Sequence, residues 1–580
     1  METRSARWID AAVPEDVVAG VARDANLHPA VARALAARGV ADATAAERFL
    51  NPRLADLNDP GAMRDMDRAV ERLADAVQSR ERVCVYGDYD ADGLTATAAL
   101  AAVLGAVGAD VTTFSPDRMT DGYGLHPDRV RELAAQGMRL IVTVDCGVRG
   151  HDAIALAREL GVDVVVIDHH APDTTMPDAV AVVDPHRPDC TFPFKDLCAA
   201  GLAFYAAGAL RRVLTARGLL APGALDVRDL LDLVAVGTVA DMVPLLGDNR
   251  ILVAAGLKRL NEAPRPGLAA LKAVSGVDGK PVTAGTVAFA LAPRLNATGR
   301  LGDPRAALAL LRASDDLDAR RHAETLQRDN DERRLVAQRV IDEAMARVTA
   351  AGGPAHRIVV VWGEGWHPGV VGIAAARLLD AFGRPAVVIG VENGVGKGSC
   401  RSVRGFDIGR ALESAAPLLE RFGGHPMAAG LTVRSGRIPE LAATLEALAD
   451  ASVDDDALVP TIALDAWIGL DDLATTLPDD VARMQPFGMG NPEPVLAVRD
   501  VVLSNARIVG KDRSHVQVEV DDGRRRCDGI WFGGATAVAT IGDRIDVAFS
   551  VARDERTGAA RMKVRDMRPA RTGGADTEAT

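Results

Sequence analysis

Short apolar runs that end in acidic residues or histidines alternate with Ala-rich stretches in the first third of the chain. The runs are RVCVYGD (82–88), LIVTVDCG (140–147) and VDVVVIDHH (162–170). A helix-like stretch, LTATAALAAVLGAVG (94–108), lies between the first two. Alternation of strand-like and helix-like segments predicts βαβ units with a parallel sheet. Further along, the apolar segment LLDLVAVGTVADMVPLLGD (230–248) predicts a single buried helix with one polar interruption, at Asp241.

Outside these segments, the sequence predicts helices at the start of the chain and β structure at its end. Residues 1–75 are Ala-rich and amphipathic and predict short helices, and residues 303–350 predict a charged connecting helix or helix pair. A second α/β pattern begins at RIVVVWGEG (357–365) and reaches PAVVIGV (385–391). After the Pro/Gly-rich segment PFGMGNPEP (486–494), short alternating segments predict a β-barrel or sandwich.

Composition narrows the class of protein. The 580 residues are 48% hydrophobic and 25% charged, which excludes a mainly disordered or fibrous chain. The net charge of −13 argues against a protein that coats polyanions in general, although residues 501–570 carry 13 basic and 10 acidic residues. The six cysteines form no CxxC pair, and the first residues include no apolar signal region. We therefore expect reduced thiols and a cytoplasmic protein.

Acidic residues and histidines cluster after the three apolar runs. They are Asp88, Asp90, Asp92, Asp145, Asp168, His169 and His170. Because the carboxyl ends of parallel strands meet at one crevice, we expect these side chains to share a site. A lone DxD would be read as a surface turn, but this much negative charge requires cations. Oxygen ligands with imidazole favour Mn²⁺ or Mg²⁺ over a thiolate zinc site, and two such ions would suit phosphodiester hydrolysis.

Two residues of this region keep alternative interpretations. His170 is predicted to be a minor ligand or a hydrogen-bond donor to phosphate, and a neutral core histidine is the alternative. Asp241 is predicted to ligate metal because an unpaired charge in an apolar helix is destabilising, and a capping or salt-bridge role competes with that interpretation. Cys146, beside Asp145, is predicted to be a buried small hydrophobe.

GDYDADG, TVDCG, DHH and GTVADMVPL, in this order, resemble the four motifs of the DHH phosphoesterase superfamily. Within it, the chain is similar to the bacterial exonucleases specific for single-stranded DNA from about residue 80 to 568. The segments that carry this closer resemblance are LAPRLNATGRLGDP (291–304), GEGWHPGVVGIAAARL (363–378), GSCRSVRGFD (398–407), FGGHPMAAGLTV (422–433) and PFGMGNPEP (486–494).

The resemblance implies a 5′→3′ exonuclease that releases 5′-mononucleotides from single-stranded DNA with two Mn²⁺ or Mg²⁺ ions. Its metal ligands match Asp90, Asp92, Asp145, His169 and Asp241, with Asp145 as the bridging residue. Asp88 is implied as a further metal-binding acid, and Asp168 and His170 as further catalytic residues.

The resemblance also implies residues that bind the DNA. Arg118 and Tyr123 match the region of the 5′-end pocket, where Tyr123 is expected to stack on a base. Asn296 and Arg300 are expected at the scissile or neighbouring phosphate. Ser399 and Arg401 are expected to hold a terminal phosphate, and Gly423, Gly424 and His425 match a nucleic-acid-binding motif.

The expected fold class is α/β: two α/β domains, DHH with a parallel sheet and DHHA1, joined by a long helix and followed by an OB-like β-barrel. The expected segments are a helical cap (1–75), a DHH domain (76–260), a motif segment with connecting helices (261–353), a DHHA1 domain (354–450), an OB-like domain (458–570) and a disordered tail (571–580).

Two alternative functions would also fit part of the sequence. One is a superfamily enzyme acting on oligoribonucleotides, cyclic dinucleotides or pyrophosphate, and the predicted β domain argues against it. The other is an inactive DNA-binding scaffold, and the complete set of acidic residues argues against that. From the resemblance, the expected partners are single-stranded DNA, single-strand-binding protein and a RecQ-type helicase, with no membrane. A monomer is favoured because both halves of the site lie in one chain.

Overall fold

The structure, a computed structural model, describes residues 6–118, 121–553 and 558–570. The chain forms two compact units. The larger unit comprises residues 12–330 and 471–494, and the smaller unit comprises residues 1–11, 331–470 and 495–580. The expected disordered tail, 571–580, lies outside the described residues.

The larger unit contains a five-stranded parallel sheet. Its strands, in spatial order, are Asp110–Phe114, Arg82–Gly87, Leu140–Val144, Asp163–Ile167 and Ala181–Val183. The central strands are rich in Val and Ile and almost completely buried, as expected for a sheet covered on both faces. This confirms the parallel sheet predicted from the alternating pattern.

Helices surround this sheet and extend the larger unit. They are Glu15–Asp24, Pro29–Ala36, Ala43–Leu50, Met66–Ser79, Ala91–Ala106, Pro127–Ala135, His151–Glu159, Ala199–Ala216, Leu231–Ala240, Gly247–Glu262, Pro266–Val274, Ala284–Thr286, Ala292–Leu301, Pro304–Arg312 and Leu477–Arg483. The helix Ala91–Ala106 follows the first strand and is buried along nearly its whole length, which explains its continuous run of Ala, Leu and Val.

The predicted single helix over 230–248 is wrong. The helix Leu231–Ala240 ends just before Asp241, and the next helix begins at Gly247. Met242 has a left-handed backbone with φ of 64°, and Pro244 offers no N–H for a helical hydrogen bond. The apolar pattern continues because the connecting loop is itself partly buried, with Leu245 at 2% exposure. Asp241 therefore lies at a helix end and is not enclosed within a helix.

The charged segment predicted as a helix or helix pair is a pair. Pro304–Arg312 belongs to the larger unit, and the boundary between the two units falls within the long helix Asp316–Ala350. At the other end of the chain, the predicted short helices are preceded by a strand, Arg7–Asp10, which pairs in parallel with Thr461–Leu464 in the smaller unit. The sequence analysis did not anticipate this strand.

The smaller unit contains a mixed sheet and a barrel. The mixed sheet consists, in spatial order, of Leu419–His425, Ala428–Arg434, Val395–Arg401, Ala386–Glu392 and Val359–Glu364, with the helices Val371–Phe382, Ile408–Ser414 and Ile438–Ser452. The barrel strands are Leu496–Val509, His515–Asp521, Arg526–Trp531, Ala560–Pro569 and Arg544–Arg553, and Ala466–Trp467 extends the first. The strands Leu496–Val509 and Arg544–Arg553 pair with each other, which closes the barrel and confirms the predicted fold class.

Candidate active site

The carboxyl ends of the central parallel strands carry the predicted acidic residues. Asp88 follows the strand Arg82–Gly87, Asp145 follows Leu140–Val144, and Asp168 follows Asp163–Ile167. The chain order reverses between the first two of these strands, and ligands of open parallel sheets bind at such a switch point. The topology therefore gathers the predicted site residues from distant parts of the sequence.

Asp90 and Asp92 are held by backbone amides. Asp90 caps the helix Ala91–Ala106, and its carboxylate accepts hydrogen bonds from the amides of Asp92 and Gly93, both at 3.0 Å. Asp92 is 1% exposed and accepts from the amides of Ala199 and Ala200 at 2.7 and 2.9 Å, at the start of another helix. The positive end of that helix stabilises the buried carboxylate.

Asp145 has an unusual backbone and a histidine neighbour. Its φ of 63° is left-handed, a conformation that costs free energy for a residue with a side chain and that persists only when the surroundings enforce it. Its Oδ1 lies 3.0 Å from Nε2 of His169. Tyr123 donates a hydrogen bond to the Asp145 carbonyl oxygen at 3.1 Å, so an aromatic side chain secures this backbone.

Asp168 supports the loop that carries the two histidines. Its carboxylate accepts hydrogen bonds from the amides of Val148, His169 and His170 at 3.0, 2.8 and 3.2 Å, and from Nδ1 of His170 at 2.8 Å. Burial opposes the charge, but these bonds hold the pKa of Asp168 below its ordinary value. Burial likewise opposes the charge of His170, but Asp168 outweighs it and raises the pKa of His170 to about 9.

Asp241 completes the cluster from the end of its helix. Its carboxylate lies 3.8 Å from Nε2 of His169, which in turn lies 3.9 Å from Asp92. Burial, followed by repulsion from Asp92, raises the pKa of Asp241 to about 7. Burial also lowers the pKa of His169, so this imidazole is poised to be neutral, the state in which histidine ligates metals.

The side chains fit divalent cations. Three sets bring their ligand atoms within 4.8 Å of one another: Asp145, His169 and His170; Asp92, His169 and Asp241; and Asp88, Asp90 and Asp145. Asp145 and His169 each belong to two sets. Burial and mutual repulsion raise the pKa of Asp88 and Asp145 and bring that of Asp92 to about 6, and Oδ1 of Asp88 is buried with no hydrogen-bond partner among the described residues. Bound cations would relieve each of these costs.

The predicted residues Arg118, Asn296 and Arg300 lie near the first acidic motif. The guanidinium of Arg118 is 5.4 Å from the ring centre of Tyr89, and Arg300 acts electrostatically on the same Tyr89. Asn296 lies on the helix Ala292–Leu301, where its Oδ1 accepts a hydrogen bond from the amide of Ala91 at 2.7 Å. This bond joins Asn296 to the start of the helix that Asp90 caps. Sequence analysis had not singled out Tyr89.

Tyr123 contacts the site through its hydroxyl group. Besides the bond to Asp145, the hydroxyl oxygen lies 3.1 Å from Nδ1 of His170, and the two rings form an edge contact at 5.4 Å. Tyr123 is 47% exposed. The stacking of its ring on a base, which the sequence predicts, stays a prediction. The structure brings Tyr123 together with the acidic cluster.

Asp184 is a buried acidic residue that sequence analysis missed. It follows the strand Ala181–Val183, accepts from the amide of His186 at 2.7 Å, and is completely buried. The interaction of the His186 imidazole with the Asp184 carboxylate, which accepts, is the main cause that raises the pKa of His186, and the carbonyl of His169 raises it further. The segment AVAVVDPH shows the same apolar run followed by Asp and His as the recognised motifs, so the signal was present.

In the smaller unit, Ser399 and Arg401 lie beside the start of a helix. They lie two residues apart on the strand Val395–Arg401, and Arg401 Nη1 donates to Ser399 Oγ at 3.2 Å. The helix Val371–Phe382 begins beside them: a Cβ on Gly372 would lie 3.0 Å from Ser399 Oγ and 3.5 Å from Arg401 Nη2. A helix start, a hydroxyl and a guanidinium together suit a phosphate group. Sequence analysis missed Gly372.

Gly423, Gly424 and His425 lie on the strand Leu419–His425 and are exposed. Gly424 has φ of 146°, and a Cβ there would lie 2.5 Å from backbone atoms of the neighbouring strand. The absence of a side chain at Gly424 therefore allows the neighbouring strand to approach this closely. A Cβ on Gly423 would meet nothing within 4 Å. These three residues line a cavity of about 270 Å³ together with Arg410 and Phe422.

Family models match three parts of the chain. The DHH family N-terminal domain matches residues 82–238, the DHHA1 domain matches residues 355–451, and the RecJ OB domain matches residues 464–565. The fold and the acidic site at its switch point thus define a DHH phosphoesterase that carries a DHHA1 domain and an OB domain.

Relatives that match most of this chain show which family it belongs to. The single-stranded-DNA-specific exonuclease RecJ of Bacillus subtilis is 37% identical over 553 residues, which cover 95% of this chain and 69% of the relative. Crystal structures of Thermus thermophilus RecJ with Mn²⁺ and with Mg²⁺ match with TM-scores of 0.83 and 0.77 at 32% and 30% identity. Each match covers 98% of this chain, and the two cover 80% and 79% of the matched chains. The chain belongs to the RecJ family.

Proposed function

We propose that this chain is a metal-dependent exonuclease that degrades single-stranded DNA from the 5′ end and releases 5′-mononucleotides, in DNA repair and recombination. The observation that carries the proposal is the acidic cluster at the sheet switch point, in a chain 37% identical to a curated single-strand-specific exonuclease. The relatives solved with Mn²⁺ and with Mg²⁺ support the same two ions here.

The metal-binding roles follow from the three sets of ligand atoms. Two divalent cations would polarise the scissile phosphodiester and supply a nucleophilic water. Asp145 would be the ligand shared by the two ions, because its carboxylate lies close both to His169 and to the pair Asp88 and Asp90. The proposed ligands are Asp88, Asp90, Asp92, Asp145, His169 and Asp241.

Asp168 and His170 act beside the ligands. Asp168 accepts hydrogen bonds from the loop amides and thereby orients His169 and His170. With a pKa raised to about 9, His170 is an imidazolium near neutral pH. Its Nδ1–H is directed to Asp168, which leaves Nε2–H to donate to a phosphate oxygen as negative charge develops there.

The remaining predicted residues bind the strand. Ser399, Arg401 and the start of the helix Val371–Phe382 hold the terminal 5′-phosphate, which sets the direction of degradation. The proposed DNA contacts in the larger unit are Arg118, Tyr123, Asn296 and Arg300. Those in the smaller unit are Gly423, Gly424 and His425.

The proposal extends to partners and to the cell. We infer a monomer that acts with single-strand-binding protein and a RecQ-type helicase in the cytoplasm. The free, buried state of all six cysteines supports a reducing compartment. Among the helices of the described residues, none combines the length and apolar character needed to cross a bilayer.

One assay tests the activity and the site together. A 5′-labelled single strand and its duplex are incubated with Mn²⁺, with Mg²⁺ and with a chelator, using the wild type, Asp145→Ala and the exposed-loop control Asp278→Ala. We expect labelled mononucleotide from the single strand only, in the presence of metal, and none from Asp145→Ala. Strand binding without release would favour an inactive scaffold, and cleavage of dinucleotides alone would favour a small-substrate enzyme. Either of these results would overturn the proposal.

A further inference from the structure

The Pro/Gly-rich segment PFGMGNPEP (486–494) forms a tight turn in the larger unit. Gly488 and Asn491 exchange two backbone hydrogen bonds, at 2.9 and 3.1 Å, so that Met489 and Gly490 form the tip. Gly490 has φ of 71°, a left-handed conformation that glycine adopts without steric cost. None of the proposed metal-binding or DNA-binding residues lies in this segment.

Asn491 fixes the turn in place. Its side chain is completely buried, and its Nδ2 donates to the carbonyl oxygens of Met484 and Pro486 at 2.8 and 2.9 Å. Its Oδ1 accepts from Nε of Arg38 at 2.9 Å, and Arg38 also donates to the carbonyl of Pro492 at 2.7 Å. A buried polar side chain with these bonds is costly to displace, so the turn is rigid.

The rigid turn packs against the loop that follows Asp241. The amide of Leu245 donates to the carbonyl oxygen of Met489 at 2.8 Å. A Cβ on Gly490 would lie 3.0 Å from Cβ of Pro244, and a Cβ on Gly488 would lie 2.7 Å from the Leu245 side chain. The turn therefore approaches the loop as closely as glycine allows.

A second anchor holds the same loop through Pro244. The side-chain amide of Asn249 donates to the carbonyl of Pro244 at 3.0 Å and to that of Asp196 at 2.5 Å. Asn249 is completely buried. The loop is thus fixed both by the following helix, Gly247–Glu262, and by the turn.

Asp241 depends on this loop more than Asp90, Asp92 and Asp168 depend on the segments that carry them. Asp90, Asp92 and Asp168 each accept hydrogen bonds from two or more backbone amides. Within the described parts of the chain, no backbone amide donates to the Asp241 carboxylate, which lies 3.8 Å from Nε2 of His169. Its orientation therefore follows from its backbone, which is immediately followed by the left-handed Met242.

We infer that the turn Gly488–Asn491 is a positioning element for Asp241: it fixes the loop 242–246 and thereby places the Asp241 carboxylate for metal binding. This inference rests on the proposed function, because it assigns the turn a role at the metal site proposed above. Outer contacts that orient a metal ligand change metal affinity when they are altered, without contributing a ligand atom themselves.

The experiment compares Gly490→Ala with Gly276→Ala in the metal-free full chain. Gly276 has φ of 70°, nearly the same as Gly490, but a Cβ there meets nothing within 4 Å. Both variants carry the same backbone strain, and only Gly490→Ala pushes on Pro244. We expect Mn²⁺ to bind about tenfold more weakly to Gly490→Ala than to Gly276→Ala in titration calorimetry, with similar melting temperatures.

A double variant tests whether the effect passes through Asp241. In an Asp241→Ala background, Gly490→Ala should weaken Mn²⁺ binding no further, because the positioned group is gone. Equal Mn²⁺ affinity in Gly490→Ala and Gly276→Ala, or undiminished weakening in the Asp241→Ala background, would overturn the inference. If Gly490→Ala does not fold, Gly488→Ala replaces it, since its Cβ meets only the movable end of Leu245. Failure of the wild type to bind Mn²⁺ would instead overturn the proposed metal site and the inference with it.

Discussion

The hydroxyl group of Tyr123 lies 3.1 Å from the carbonyl oxygen of Asp145, the residue with a left-handed backbone at the centre of the acidic cluster. A side chain from a distant loop thus secures the strained peptide group of the proposed bridging ligand. The same hydroxyl contacts His170 at 3.1 Å. Tyr123 therefore contacts both Asp145, the proposed bridging ligand, and His170, the proposed hydrogen-bond donor to phosphate, in addition to any contact with DNA.

Removing this hydroxyl group should slow the reaction more than it weakens DNA binding. In Tyr123→Phe the ring remains, but the Asp145 carbonyl loses its hydrogen bond, a loss of about 1 kcal/mol. If that loss falls on the transition state, kcat drops about fivefold to tenfold while KM for single-stranded DNA changes little. Steady-state kinetics on a labelled single strand measure both constants.

Tyr205→Phe is the matched control for Tyr123→Phe. It also removes a phenolic hydrogen bond, the one that Tyr205 donates to Asp248 at 2.5 Å, and neither of these two residues is a proposed site residue. We expect it to lower the melting temperature and to leave kcat unchanged. An unchanged kcat in Tyr123→Phe, or an equal fall in both variants, would contradict a role for the Tyr123 hydroxyl in catalysis.

Metal binding should stabilise the folded protein. The acidic residues of the site repel one another when no cation is bound, and a ligand present at a hundred times its Kd stabilises the native state by about 2.7 kcal/mol. We therefore expect Mn²⁺ to raise the melting temperature of the wild type and a chelator to reverse the change. Asp145→Ala should show no rise, whereas Asp278→Ala should behave as the wild type. A rise of equal size in Asp145→Ala would place the stabilising ion elsewhere.

The acidic site could be predicted from sequence because its signals are local. An apolar run followed directly by Asp or His is visible in a few residues, and the sheet topology then brings Asp88, Asp145 and Asp168 to one edge. Asp184 shows the same local signal and was missed only because no motif drew attention to it. The parallel sheet was likewise predicted from a pattern of alternation, and the structure confirms it. At the end of the chain the pattern left a barrel or a sandwich open, and the barrel that the family resemblance implied is the one observed.

The features that escaped prediction depend on distant contacts. Gly372 matters because the strand Val395–Arg401 passes beside its helix, and nothing in the residues around Gly372 shows that approach. The end of the helix at Ala240 was missed because the loop after it is buried and therefore apolar, which imitates a longer helix. Hydrophobic periodicity reports burial, and it cannot separate a buried loop from a buried helix when few polar residues intervene.

A buried ion pair in the larger unit should contribute to stability with a defined dependence on pH. Asp65 accepts a hydrogen bond from Arg187 Nη1 at 2.8 Å, and both side chains are 8% exposed. Burial opposes the charge of Asp65, but the bonds from Arg187 and the Val182 amide keep its pKa below the ordinary value. The charged pair therefore stabilises the protein above the ordinary carboxyl pKa, and this contribution is lost as the pH falls through the lowered pKa.

Replacing Asp65 by Asn tests the predicted direction of this pH dependence. Near pH 7, Asp65→Asn should lower the free energy of unfolding by about 2 kcal/mol, because Arg187 loses its charged partner Asp65 and keeps only its bonds to Asp189 and to the Val182 carbonyl oxygen. The difference from the wild type should shrink below about pH 4, as Asp65 becomes protonated first in the unfolded chain and, at lower pH, in the folded protein. Urea unfolding at several pH values measures it, with Asp278→Asn as the control. A difference that stays constant or grows on acidification would contradict the assigned pKa direction.

The start of the helix Val371–Phe382 should determine the preference for a 5′-phosphate. In Gly372→Ala the new Cβ would lie 3.0 Å from Ser399 Oγ and 3.5 Å from Arg401 Nη2, in the space that a phosphate oxygen needs. We expect this variant to lose about tenfold in kcat/KM on 5′-phosphorylated strands and little on 5′-hydroxyl strands, because only the former use the pocket. Gly436→Ala, whose Cβ meets nothing within 4 Å in the same unit, should retain the wild-type ratio. Equal losses on both substrates would mean that Gly372 supports the fold and does not contact the terminal phosphate.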